Sequence, residues 1–222
     1  LDIYINETTR PADLIMPSTV QLEHENYEFL FETTTVHNFS RWSPQLFEAT
    51  GGQRDMWQIY CELGARLAGV ADWKIIDDMM IKGMLGMMVG SGTGCPEVTP
   101  EAAFEMLQDE QGPMRMIEGM VRVGPYGDKF GANPEGLNLE KLRNADQGVD
   151  LGPLEANRLP ECIPHDRIDL CPEYITNDLA RLEAGLEERS QSDRMVLVGR
   201  RQIRNMNSWL HNLPALAKGP NR

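Results

Sequence analysis

LDIYINETTRPADLIMPS, residues Leu1–Ser18, decides how the chain is read. An apolar start carries an acid, Asp2, and gives way to a polar, hydroxyl-rich stretch, Asn6-Glu7-Thr8-Thr9-Arg10. A second apolar run, Ala12-Asp13-Leu14-Ile15-Met16, is stopped by Pro17. Buried parallel strands take the form of short continuous apolar runs. Ligands of open α/β sheets sit beyond the carboxyl ends of such strands. The stretch therefore reads as a strand end, a ligand-facing loop and a second buried strand. An ordinary connection between two elements has the same pattern, so the choice falls to the rest of the chain.

The chain has 222 residues, 41% of them hydrophobic, enough for one large domain or one and a half ordinary ones. A formal net charge of −13 argues against nucleic acid and against anionic membrane surfaces as partners. No apolar run reaches the length of a membrane-spanning helix. No signal peptide is visible, and a cytoplasmic location is expected, with the periplasm as the alternative. Cys61, Cys95, Cys162 and Cys171 lie far apart, without a C-x-x-C pair. Iron–sulfur and zinc sites need closely spaced thiolates, so no metal site is expected and the cysteines read as buried free thiols. Met80, Met84, Met87 and Met88 have near-helical spacing and read as core filler.

Further along, Glu28–Ser40 alternates and is rich in Thr, Val and Phe, which predicts one or two strands, with His37 as a structural residue. Gln53–Gly69 carries an apolar stripe at helical spacing, with Gly51-Gly52 before it and Asp55 in its first turn. Trp73–Met88 predicts a second helix with the pair Asp77-Asp78 on a solvated face. Gly90-Ser91-Gly92-Thr93-Gly94 lacks the G-K-[ST] of a phosphate loop and reads as a connector. Thr99-Pro100 starts a third helix, ended by Gly112-Pro113. Ile117–Glu135 reads as a surface excursion, and Gly136–Pro172 as short extended pieces in a linker. Tyr174–Ser190 predicts an amphipathic helix, and Asp193–Arg200 a strand, MVLVG at its centre. A lone strand cannot satisfy its backbone, and Leu1 lies inside an apparent strand. The chain therefore reads as an internal fragment, with 191–222 the beginning of a further domain.

Three ordered blocks carry a family resemblance. The first has Asp2, Thr8, Ala12, Asp13, Met16 and Pro17, followed by Glu23. The second is Gly52-Gln53-Arg54-Asp55-Met56-Trp57. The third is Leu197-Val198-Gly199-Arg200-Arg201 with Asn207-Ser208-Trp209-Leu210-His211-Asn212. Together they resemble the molybdopterin oxidoreductases of the DMSO reductase superfamily, which includes formate dehydrogenases and nitrate reductases. Two positions depart from the usual pattern: Pro11 stands where relatives often have His, and His24 where they often have Lys.

The resemblance implies an incomplete Rossmann-like parallel sheet with flanking helices over 1–135, a linker and helix over 136–190, and the start of a cofactor-binding β-barrel over 191–222. It implies a bis-molybdopterin guanine dinucleotide cofactor. Asp2 and Asp55 would recognise guanine, Glu23 and His24 would lie beside the cofactor, and Val198, Gly199, Arg200, Arg201, Asn207 and Ser208 would contact pterin and phosphate. No catalytic residue and no metal ligand is expected in this segment. The molybdenum ligand and any 4Fe-4S cluster would lie upstream, and a small substrate such as formate or nitrate and an electron-transfer partner would meet the complete enzyme. A different class of reading is a non-catalytic α/β binding or assembly module with a degenerate nucleotide site, with which Pro11 and His24 agree. A nicotinamide-binding Rossmann dehydrogenase is disfavoured, since no G-x-G-x-x-G follows a first strand.

Overall fold

A computed structural model describes residues 1–156, 163, 167–199, 206, 210 and 213–216. Residues 1–156 form one compact unit and 157–222 a second.

In the first unit the centre is helical. Helix α1, Met56–Leu67, follows a turn in which Gly51 and Gly52 both take left-handed backbone, at φ 66° and 80°. Helix α2, Lys74–Met88, presents Asp77, Ile81 and Leu85 on one buried line, each four residues from the next. Helix α3, Pro100–Glu105, starts as its sequence predicts: the Thr99 hydroxyl accepts from the Ala102 N–H at 3.2 Å, and Pro100 fills the first turn. Ile81, Leu85, Val89, Cys95, Ala103, Phe104, Leu107 and Phe130 close the apolar core.

Gly112-Pro113 does not end a helix. It begins one, α4, Gly112–Val123, with Gly112 at φ 54° and the proline in the first turn. The first part of the expected surface excursion, Ile117–Val123, thus belongs to a core helix, and the reason lies in what it buries. Its inward positions include Arg115 and Glu118, with Arg122 close behind, so charged side chains lie on part of the buried face. Those charges are matched. Arg122 donates two bonds to the Asp128 carboxylate, at 2.9 and 2.8 Å, and Glu118 accepts the Leu139 N–H at 2.5 Å. Burial pushes Asp128 upward, but the bonds from Arg122, Asn138 and the Phe130 N–H outweigh it and leave its carboxyl below the usual range. Asp77 is likewise not solvated; it is 6% exposed and faces Arg115. Helix α5, Leu139–Arg143, capped by the Asn138 side chain, replaces part of the expected extended linker.

The strands are short and antiparallel. β1, Asn26–Tyr27, pairs with β3, Trp42–Ser43; β2, Asn38–Ser40, pairs with β4, Val149–Gly152. The chain thus mixes helices and strands as expected. Among the described residues, however, there is no parallel sheet and no closed barrel. Parallel pairing is confined to isolated bridges, including Asp2 beside Pro17 and Ser18 beside Arg54. The local reason is the Asn6 loop. The Asn6 carboxamide oxygen accepts the Thr8 and Thr9 N–H groups, which turns the chain at once instead of extending it.

In the second unit, helix α6, Glu173–Ser190, matches the predicted amphipathic helix, with Leu179, Leu182 and Leu186 on one half-exposed stripe. The predicted strand over 193–200 is absent from the described residues 192–199, and Met195 and Leu197 are fully exposed. Among the described residues no neighbouring strand pairs with its N–H and C=O groups. Cys61 and Cys95 are buried free thiols as expected, whereas Cys171 is exposed; Cys162 lies outside the described residues. Among the described residues, no helix is long and apolar enough to cross a membrane.

Candidate functional site

The isolated bridges set three chain segments side by side: Asp2, then Pro17–Ser18, then Arg54. Ser18 N–H reaches the Asp2 carbonyl at 3.4 Å, and Thr19 N–H reaches the Arg54 carbonyl at 3.2 Å. Thr19 and Asp55 thereby emerge together at the edge of a cleft of about 1000 Å³. The Thr19 hydroxyl donates to Asp55 Oδ1 at 2.6 Å and lies 3.4 Å from His24 Nδ1. Asp55 occupies the position preceding α1, yet its side chain makes no capping bond to the helix. Its carboxylate is turned to Thr19 and the cleft instead.

Glu23 is fixed on the same side. Its Oε2 accepts the Val20 N–H at 2.9 Å and the Gln53 side-chain amide at 3.1 Å. Glu23, His24 and Asp55, drawn from two of the sequence blocks, thus line one cleft. Asp2 does not. It shares the row of parallel segments, but its carboxylate accepts from the Asn6 side chain and the Ile3 N–H, both at 2.8 Å, and closes its own loop. Those bonds, Asn6 first, hold its carboxyl below the usual range. Val198 and Gly199 are exposed residues of the second unit. Arg200, Arg201, Asn207 and Ser208 lie outside the described residues.

The cleft also has walls that the sequence did not point to as a site. Four aromatic side chains, Tyr27, Trp42, Trp57 and Tyr60, line it. Trp57 is held edge-on to Trp73, with ring centres 5.4 Å apart. Arg143 ties the floor together from outside. Its guanidinium bonds Glu25 at 2.9 Å, forms a forked pair with Glu110, and lies over the Trp42 ring at 5.3 Å. The bonds from Glu110 push its pKa further up, so it remains a permanent cation. Trp42 Nε1 donates to the same Glu25 at 2.9 Å. Arg143→Ala should leave Glu25 and Glu110 facing each other without a counter-charge. For a pair about one-third exposed, the cost should be about 1–2 kcal/mol, between the values for surface and buried pairs. Urea denaturation measures this, and Arg143→Lys should restore only part of it, since the fork is lost.

Chemically, the cleft offers carboxylate acceptors beside flat apolar faces. Such a pair suits a planar heterocycle with two adjacent N–H donors. Among the described residues no lysine or arginine lines it. The cleft therefore offers acceptors to such a heterocycle but no lysine or arginine to a phosphate. Among the described residues no three His, Cys, Asp or Glu side chains converge as a metal site. Comparison with family models, with curated proteins and with solved structures gave no match to this chain.

Proposed function

We propose that the chain is part of a molybdenum-dependent oxidoreductase and that its cleft takes the guanine end of a bis-molybdopterin guanine dinucleotide. The observation that carries this is the Asp55 carboxylate, released from capping its own helix and held by Thr19 at a cleft of aromatic faces. The ordered blocks of the sequence resemblance support the same reading, since two of them supply Glu23 and Asp55. In the complete enzyme the segments around Asp2, Pro17–Ser18 and Arg54 are then strands of a wider parallel sheet, whose carboxyl edge is where nucleotides bind. Bound, the cofactor would supply the redox chemistry toward a small substrate such as formate or nitrate. The chain's own part is to hold and orient. Asp55 accepts the two adjacent donors of the guanine edge, and Thr19 keeps that carboxylate from turning back to the helix. The Trp57 and Trp42 rings exclude water beside it.

A second reading, a binding module with a degenerate nucleotide site, draws on the missing cations of the cleft. The two separate by titrating the chain's tryptophan fluorescence with guanosine and adenosine. Guanosine should bind, and adenosine, which sets an acceptor against Asp55, should bind much more weakly. Asp55→Asn should weaken guanosine by about 1.5–3 kcal/mol, roughly tenfold to a hundredfold. Equal affinity for the two nucleosides, unchanged in Asp55→Asn, would favour the second reading.

A further inference from the structure

Beside the acidic cleft lies a second cavity of about 370 Å³, and Tyr27 and Ile117 line both. Its character is different. Phe29, Phe39, Met120, Val121, Tyr126 and Leu137 make it apolar and largely aromatic. Tyr27, Glu32, Asn38 and Ser40 add polar groups to its lining. Ser40, 3% exposed, lies with its hydroxyl 2.9 Å from the Tyr27 hydroxyl. Glu32 also lines the cavity, and its Oε1 accepts the Arg41 N–H at 2.9 Å. Burial raises both Tyr27 and Glu32 above their ordinary ranges.

In the Tyr27–Ser40 hydrogen bond either hydroxyl can be the donor, and each oxygen has two lone pairs of which that bond uses one at most. What Ser40 and Tyr27 still offer the cavity is oxygen lone pairs. Cavities of this size, apolar with a few convergent polar groups, are the usual form of small-molecule sites. We propose that this cavity binds a small aromatic molecule bearing one hydroxyl or N–H donor, a phenol in the simplest case, with the ring among the aromatic walls and the donor on the Tyr27–Ser40 pair. The site is separate from the guanine reading and does not depend on it.

Ligand-observed NMR titration of the 222-residue chain with 4-methylphenol and with toluene tests this. The phenol should bind about tenfold more tightly, the worth of one hydrogen bond in a sheltered site. Tyr27→Phe keeps the ring and should erase that preference while leaving toluene unchanged. Val121→Trp fills the cavity and should abolish both, with guanosine binding at the other cleft unaffected. No binding of 4-methylphenol, equal affinity for the two compounds, or binding that survives Val121→Trp each overturns the proposal. Equal affinity would mark the cavity as apolar surface for a protein partner.

Discussion

Arg115→Ala is expected to destabilise residues 1–156 by about 3–5 kcal/mol, the cost of stranding a buried charge. The guanidinium is buried and lies 2.5 Å from Asp78 and 3.5 Å from Asp77. Its carbon stands 4.5 Å from the centre of the Phe104 ring. Remove it and Asp77 keeps a single bond, from the Gly112 N–H at 3.2 Å, inside the core. Arginine is not itself fully matched, since Nε and Nη2 have no hydrogen-bond partner among the described residues. An apolar pair of similar volume should therefore recover much of the loss. Urea denaturation of Arg115→Ala and of the double variant Asp77→Leu with Arg115→Met decides it. A single-variant cost under about 1 kcal/mol would mean that water reaches Asp77 freely.

Gly112→Ala should cost about 2–4 kcal/mol, combining left-handed backbone strain with overpacking. Gly112 sits at φ 54°, and a methyl group there would come within 2.5 Å of the Trp57 ring. The ring would have to move as a whole, away from the place that Trp73 gives it. Because Trp57 is a wall of the acidic cleft, guanosine binding should weaken in the same variant. A variant with normal stability and unaltered guanosine affinity would show that the ring yields without consequence.

Helices α1, α2 and α6 were legible because each keeps an apolar stripe at helical spacing. Helix α4 was not, because Gly119 and Gly124 read as loop signals and its inward face also carries Arg115 and Glu118, with Arg122 close behind. The burial of Asp77 was visible in principle, four residues before Ile81 and eight before Leu85. Its charge hid it, and its partner Arg115 lies 38 positions away. Of the residues lining the cleft, Glu23, His24 and Asp55 were singled out through ordered blocks of sequence. Glu110 and Arg143 were not, because a clamp joining residues so far apart leaves no local pattern. Asp2 was expected beside Asp55 at the cleft. The Asn6 side chain takes it instead, a competition between side chain and ligand that residue type alone does not settle. The parallel sheet was read from two apolar runs that, among the described residues, make only isolated parallel bridges.

The Arg143 clamp also bears on how the first unit assembles. Its bond to Glu25 closes a loop of 118 positions, and the Asn38 side chain reaches the Pro153 carbonyl across 115. Helices α2, α3 and α4, by contrast, meet through short connections. Loop-closure entropy delays contacts between remote segments, so the helical core should form early and the acidic cleft last. The cleft is then also the part that opens first. In native-state hydrogen exchange, amides around β1 and β3 should exchange through openings much smaller than those that release α2.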